Sequence, residues 1–511
     1  MMQVSFRNLP GMSKLFLDYL YDWNRVQEFY SSPYDLNSLI SFSRKRMSEP
    51  LAHREQLCRT LAEQQRSWGG RTESVEKLAR GAVAVVAGQQ PGLFTGPTYT
   101  IMKAVTAIRL ARAIDDAGVP AVPLFWIAAE DHDHEEISST FVLDRESALH
   151  RFRVDLSNEI ASPVGFLQFK GDVNSVVTDC LSSLPQSEFH ADLRSALESS
   201  YQSGRSPVDA FARLMTKLFG DFGLILANPI DPELKSIARP ILNEVAKRNS
   251  EVRTSVLRRS RMIADCGYHE QVKVDENFTG LFALRDKSRE ALRPDDLSMD
   301  LTFSPNVLVR PLVQDTIFPT AALIAGPAEI AYLAQASVVY ETMGRMATPV
   351  FPRISATILE TRVGRSLRKY DMKFEDVFHG KDFLKRRAVE QVQGIDIFAK
   401  VKQRVVENLE LLRDPLRVVD PTLTGALDTA RQKMMHQVDA LETKFVNAEA
   451  RRNDVMEKQL DLIVNSVFPE KKLQERVLNV TTFLARYGTG FLRHLEEAVS
   501  LDSTQHQIIE I

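Results

Sequence analysis

The sequence predicts an α/β protein: a parallel-sheet core with inserted connecting segments, followed by a C-terminal α-helical coiled coil. Three observations carry this. Short apolar runs at residues 82–87, 121–129 and 224–227 each stop at a glycine or a polar cluster, as parallel strands buried on both faces do. The first two runs, with the loop GQQPGLFTG and a helical stretch over 97–116 between them, form a strand-loop-helix-strand unit. Beyond residue 376 the apolar positions step by threes and fours instead.

Taken in order, residues 1–80 read as a helical lead-in, with Phe16, Tyr19, Leu20 and Trp23 at helical spacing. Residues 81–375 form the core, and the polar stretches near 145–205 and 250–300 read as insertions in it. Pro97 suits the first turn of the helix after the first strand. The run 224–227 ends at Asn228-Pro229-Ile230-Asp231 and leads into a helix from Pro232. Residues 307–309 read as a fourth strand delivering Arg310, and 349–351 as another delivering Arg353. Residues 376–468 form the coiled-coil hairpin. One seam runs Ile395, Phe398, Lys402, Val405, Leu409 and Leu412; the other runs Leu427, Ala430, Met434, Val438, Leu441, Phe445 and Ala448. Pro415 and Pro421 place the turn. Such seams fit either a homodimer or an antiparallel pair within one chain. Residues 469–511 read as a helical tail folded back on the core.

Composition narrows the function. The chain has 511 residues, 44% hydrophobic and 26% charged, the balance of a folded globular protein. Its net charge of −3 supplies no field to gather nucleic acid or an anionic membrane, so neither is expected as a partner. Cys58, Cys180 and Cys266 stand far apart without a CxxC, which fits a reducing compartment and argues against a cysteine zinc site. The first twenty residues do not read as a secretory signal, and a cytoplasmic location is expected.

Three segments could carry chemistry. In GQQPGLFTGPTYTIMK, Gly88, Gly92 and Gly96 would let the backbone approach a ligand, Gln89, Gln90 and Thr95 offer neutral hydrogen bonds, and the following helix aims its positive end at an anion. A glycine turn needed only for geometry is the alternative. Lys103, about two turns on, could snorkel toward the same crevice. In FWIAAEDHDHEEI, the acids Glu130, Asp131 and Asp133 with His132 crowd one strand end; they could act as a base with its orienting group, hold a divalent metal, or cap a helix. Asn228 and Asp231 stand at the end of the third strand run. In the 304–335 segment, Gln314, Asp315, Gly326, Glu329 and Tyr332 form a second strand-loop-helix with a glycine turn. Arg310 and Arg353 are the cations available to these acids or to a substrate carboxylate.

The blocks GQQPGLFTGPTYTIMKAVTAIRLA, PLFWIAAEDHDHEEI, SPNVLVRPLVQDTIFPTAALIAGPAEIAYLAQ, PVFPRISATILE and QERVLNVTTFLARYG, in this order, strongly resemble the bacillithiol biosynthesis cysteine-adding enzyme family. The resemblance implies a Rossmann-like core and a coiled coil that mediates homodimerisation. It further implies a ligase joining the carboxyl group of L-cysteine to the amine of glucosaminyl malate. In that reaction Asp131, His132 or Asp133 would take the proton from the amine, and Lys103 or Arg310 would steady developing charge. Substrate contacts would come from Gln89, Gln90, Gly92, Thr95, Gly96, Tyr99, Glu130, Asn228, Asp231, Arg310, Gln314, Asp315, Gly326, Glu329 and Arg353. The core also resembles class I synthetases that form acyl adenylates, which raises ATP or ADP as a co-substrate. Here Tyr99 and Met102 stand where their HIGH signature has histidines, and no KMSKS-like run follows. Two readings of other classes stay open: a metal-dependent hydrolase built on DHDHEE, and a non-catalytic coiled-coil scaffold.

Overall fold

The computed structural model describes residues 2–156, 162–392, 396–452 and 454–511. Ile395 of the expected seam lies outside the described residues. Contacts divide the chain into a large unit, residues 1–145, 149–357 and 474–509, and a smaller one built mainly from residues 358–473.

The large unit is organised by five parallel strands: β1 (Val83–Gln89), β2 (Ala121–Ile127), β3 (Ile225–Ala227), β4 (Thr320–Ala325) and β5 (Val350–Pro352). Their spatial order is β5-β4-β1-β2-β3, the doubly wound order in which the chain reverses direction between β1 and β4. Such a reversal opens a crevice beyond the strand C-termini, because the connections on either side leave in opposite directions. All residues of β2 and β4 are buried, as their unbroken apolar runs require. Helix α1 (Tyr99–Asp116) packs on β1 and β2. A short helix, α2 (His134–Ser138), follows β2, and α3 (Pro232–Lys247) follows β3.

The expected strand at 307–309 is absent. Asn306 Oδ1 accepts from the backbone N–H groups of Leu308 and Val309, both at 3.0 Å, and the chain turns directly into helix α4 (Arg310–Ile317) with Pro311 in its first turn. Arg310 therefore opens a helix instead of ending a strand. The next parallel strand is β4, and α5 (Pro327–Thr342) leaves it at Gly326.

Both insertions carry ordered elements. In the first, Leu149–Arg153 pairs antiparallel with Ser139–Leu143 just ahead of it, and helices Val173–Ser183 and His190–Ser200 follow. The second insertion begins with the helix Asn249–Asp265, and Leu281–Arg285 then pairs with Ser288–Ala291 and Phe303–Pro305. At the ends of the chain, Met2–Val4 pairs antiparallel with the strand His506–Glu510, so the lead-in and the tail each contain a strand besides helices.

In the smaller unit, helices Asp396–Glu410 and Leu423–Arg452 pair within the chain. Phe398 meets Phe445 with ring centres 5.5 Å apart, Lys402 bonds Glu442 at 2.5 Å, and Arg413 bonds Asp428 at 2.8 Å. Partner numbers fall as the first helix rises, which is antiparallel pairing. The second seam is only partly as expected: Leu427 is buried, but Met434 and Leu441 are exposed, while Glu442 and Val446 turn inward. The inward Glu442 carboxylate is paired with the half-buried ammonium of Lys402, which compensates its burial.

Candidate active site

A cleft of about 680 Å³ opens at the reversal point of the sheet. The ends of β1 (Gly88, Gln89), β2 (Trp126) and β4 (Gly326), with the residues that follow them, all border it, joined by Arg310, Arg353 and Arg476. That volume suits a small organic substrate.

Lys103 sits at its floor, 3% exposed, and its ammonium meets three acceptors: Gly88 O at 2.7 Å, Gln89 Oε1 at 2.9 Å and Glu329 Oε2 at 2.6 Å. Burial pulls the Lys103 pKa below the ordinary lysine value, with Glu329 opposing. Glu329 also accepts from Gly326 N–H at 2.8 Å at the start of α5; burial would raise its pKa, but Lys103, Gly326 and Arg310 together hold it below the ordinary value. This ion pair ties α1 to α5 across the reversal point.

One end of the cleft is acidic. Gln90 Nε2 donates to Asp131 Oδ2 at 2.6 Å, and Gln89 Nε2 and Tyr99 Oη donate to Glu136 Oε1 at 2.9 and 3.1 Å. Glu136 keeps solvent-exposed surface, yet the walls around it desolvate its carboxyl and raise its pKa; the Tyr99 hydrogen bond opposes this, and the charges of Asp133 and Asp131 reinforce it. A carboxylate with an elevated pKa, not ion-paired and reaching into a cavity, is suited to accept a proton. The cationic side is formed by Arg310, whose guanidinium donates to the neutral Gln314 Oε1 and Tyr332 Oη, both at 3.2 Å, and by Arg476. Arg289, from the second insertion, stacks on Phe282 at 3.9 Å and donates to Pro305 O at 2.7 Å.

The same architecture is found in known proteins. A family model described as Bacillithiol biosynthesis BshC, N-terminal Rossmann-like domain, matches residues 2–301 and 297–354, and its C-terminal coiled-coil domain matches residues 356–511. This chain belongs to the BshC family. Similar relatives each carry the name "Putative cysteine ligase BshC". One from Koribacter versatilis is 34% identical over 99% of both chains. One from Salinibacter ruber is 33% identical over 98% of this chain and 97% of the relative, and one from Bacillus cereus is 28% identical over 84% of each. The core of this BshC-family chain is Rossmann-like, with a C-terminal coiled-coil domain.

Within that family frame, several expected site residues lie away from the cleft. Gly92, Thr95 and Gly96 do not border it. Leu478 O accepts both the N–H and the hydroxyl of Thr98 at the start of α1, and Asn479 Nδ2 donates to the carbonyls of Phe94 and Gly96 at 2.9 and 2.7 Å. The helix end expected to face an anion is thus covered by the chain's own C-terminal segment. The glycines serve geometry instead: a Cβ on Gly92 would lie 2.8 Å from the Gly96 Cα, and Phe94, Thr95 and Gly96 all have positive φ.

Asp133 caps α2, accepting from Glu136 N–H at 3.2 Å, and His132 is exposed beside Arg289, 3.3 Å from it. Glu130 is fixed by Lys235 and the Ser304 hydroxyl. His134 bonds Ser162 O at 2.8 Å, and Glu135 pairs with Arg151 and Arg153. The DHDHEE side chains therefore diverge, and among the described residues no three His, Cys, Asp or Glu groups converge as metal ligands.

Asn228 and Asp231 are also remote from the cleft; Asp231 caps α3, accepting from Glu233 N–H at 2.9 Å, and Gln64 bonds both residues. Gln314 and Asp315 are buried behind Arg310, with Tyr340 donating to Asp315 at 2.5 Å. Arg353 borders the cleft, but its guanidinium is committed to Glu475 by bonds of 3.0 and 2.6 Å. Glu136, Arg289, Glu475 and Arg476 were not among the expected residues. Glu136 had a local signal in the acidic run; the other three depend on contacts distant in sequence.

Proposed function

We propose that this chain is a ligase that forms the amide bond between the carboxyl group of L-cysteine and the amine of glucosaminyl malate, completing bacillithiol in the cytoplasm. The observation that carries the reading is the make-up of the cleft at the reversal point: Glu136, hydrogen-bonded but among the described residues not ion-paired, shares the cavity with Arg310 and Arg476, which form no ion pair among those residues. An amine attacks only through its free electron pair. Glu136 takes the ammonium proton, the nitrogen bonds to the acyl carbon, and the bond from that carbon to its leaving oxygen breaks. Gln89 and Tyr99 orient the Glu136 carboxylate, and Lys103, held by three acceptors, fixes Gln89 in turn.

A carboxylate is a poor acyl donor in water, so the reading includes ATP as the activating co-substrate. The start of α1, covered by Leu478, does not fit its phosphates. The smaller unit leaves Ile397, Leu411, Val418 and Leu441 at least 60% exposed, an apolar surface suited to a second copy of the chain. Light scattering that returned only the monomer mass would remove the dimer.

Thiol profiling of a strain lacking the gene tests the function. Accumulated glucosaminyl malate with bacillithiol absent is expected; an unchanged thiol pool would overturn the assignment.

A further inference from the structure

Among the described residues, one cation bordering the cleft makes neither a hydrogen bond nor an ion pair. Arg476 ends the 3-10 turn Gln474–Arg476 and borders the cavity. Among the described residues its guanidinium joins no ion pair and no hydrogen bond, whereas Lys103 is paired with Glu329 and Arg353 with Glu475. Arg289 faces the charges of Glu130 and Asp131.

The backbone carrying Arg476 is firmly placed. Glu475 is 1% exposed and accepts from Arg353, from the Ser355 hydroxyl at 2.9 Å and from Ala356 N–H at 3.0 Å. Two residues beyond Arg476, Leu478 closes the start of α1, and Asn479 holds the glycine loop. The segment therefore delivers Arg476 to a fixed place where burial and the like charge of Arg353 disfavour its cation, with Glu475 and Tyr99 opposing. Among the described residues this second positive charge finds no hydrogen-bond or ion-pair partner. It gains from an anion in the cleft.

We propose that Arg476 is a substrate-binding residue, the second cation of an anion subsite shared with Arg310, and that the group it takes is the dicarboxylate of an organic acid joined to the amino sugar. The proposal rests on the functional reading above and extends it to one end of the substrate. Two guanidinium groups match two carboxylates, each able to form paired N–H···O bonds. With the dicarboxylate held there, the amine of the same molecule is directed to Glu136.

Calorimetric titration of the full-length protein tests this with three probes: glucosaminyl malate, its dimethyl ester and ADP. The wild type is expected to prefer the dianion over the ester. Arg476→Gln should weaken glucosaminyl malate by roughly 10- to 100-fold, leave the ester unchanged and keep the wild-type melting temperature, since the side chain makes no hydrogen bond or ion pair among the described residues. Arg476→Lys should recover part of the loss. Equal affinity of wild type and Arg476→Gln for glucosaminyl malate would overturn the proposal while leaving the ligase reading intact. A loss confined to ADP would assign Arg476 to a phosphate and also overturn it. Failure of the wild type to bind glucosaminyl malate would remove the functional reading and this proposal with it.

Discussion

Arg353 and Glu475, 122 residues apart in sequence, form a two-bond ion pair at 3.0 and 2.6 Å that is almost wholly buried. Arg353 leaves the end of β5, and its guanidinium also lies 5.6 Å from the Tyr99 ring centre, so the pair joins the sheet edge, α1 and the C-terminal segment. Removing one partner strands a buried charge. Glu475→Ala should cost about 3–5 kcal/mol of unfolding free energy in urea. Replacing both residues with apolar ones of similar size should cost less than the single change; a double variant worse than Glu475→Ala would contradict the account.

The glycine loop makes a separate prediction. A methyl group on Gly92 would meet the Gly96 backbone at 2.8 Å, and backbone cannot yield as a flexible side-chain tip can. Gly92→Ala should lower stability by about 1–3 kcal/mol. Gly118 has a positive φ, which Gly92 does not, and a Cβ there meets nothing within 4 Å; thermal melts of Gly92→Ala and Gly118→Ala would separate crowding from backbone strain.

Much of this was legible from local pattern. The apolar runs that became β1, β2 and β3, and their polar ends, follow from burial on both faces of a parallel sheet. Lys103 and Glu329 each stood near a predicted glycine turn, and the structure joins them. Residues 307–309 misled because β-branched residues suit strands, whereas the decisive signals were the neighbours: Asn306 as a cap and Pro311 in the first helical turn. Glu475, Arg476 and Asn479 were hidden for another reason. Glu475 and Asn479 bond groups between about 120 and 390 residues away, and Arg476 is placed by its neighbour Glu475; no local periodicity reports such contacts.

For Glu136 the expected readout is a pH profile. Its pKa is raised, so the base form is lost on acidification at a higher pH than for an ordinary glutamate. In wild type, kcat/KM should fall through that raised value as pH decreases. Glu136→Gln should lower kcat by roughly 10²- to 10⁴-fold and abolish that limb. Asp133→Asn should be near normal, because asparagine caps a helix as well as aspartate does. If Asp133→Asn were the slower variant, the proton acceptor would be Asp133.

His506 gives the last prediction a defined window. It is fully buried between the hydroxyls of Ser355 and Thr357, each at 2.8 Å. Burial, opposed by Glu475 and reinforced by Arg353, depresses its pKa from 6.5 to about 4. Between those values the unfolded chain binds a proton that the folded chain refuses, so stability rises with pH across that interval and falls on acidification from about 6.5. The contribution lost by pH 4 is about 3 kcal/mol. His506→Gln keeps a polar group between the two hydroxyls but cannot titrate, so urea midpoints measured from pH 7 to 4 should fall less steeply in that variant. Parallel slopes in variant and wild type would mean that His506 is not the group responsible.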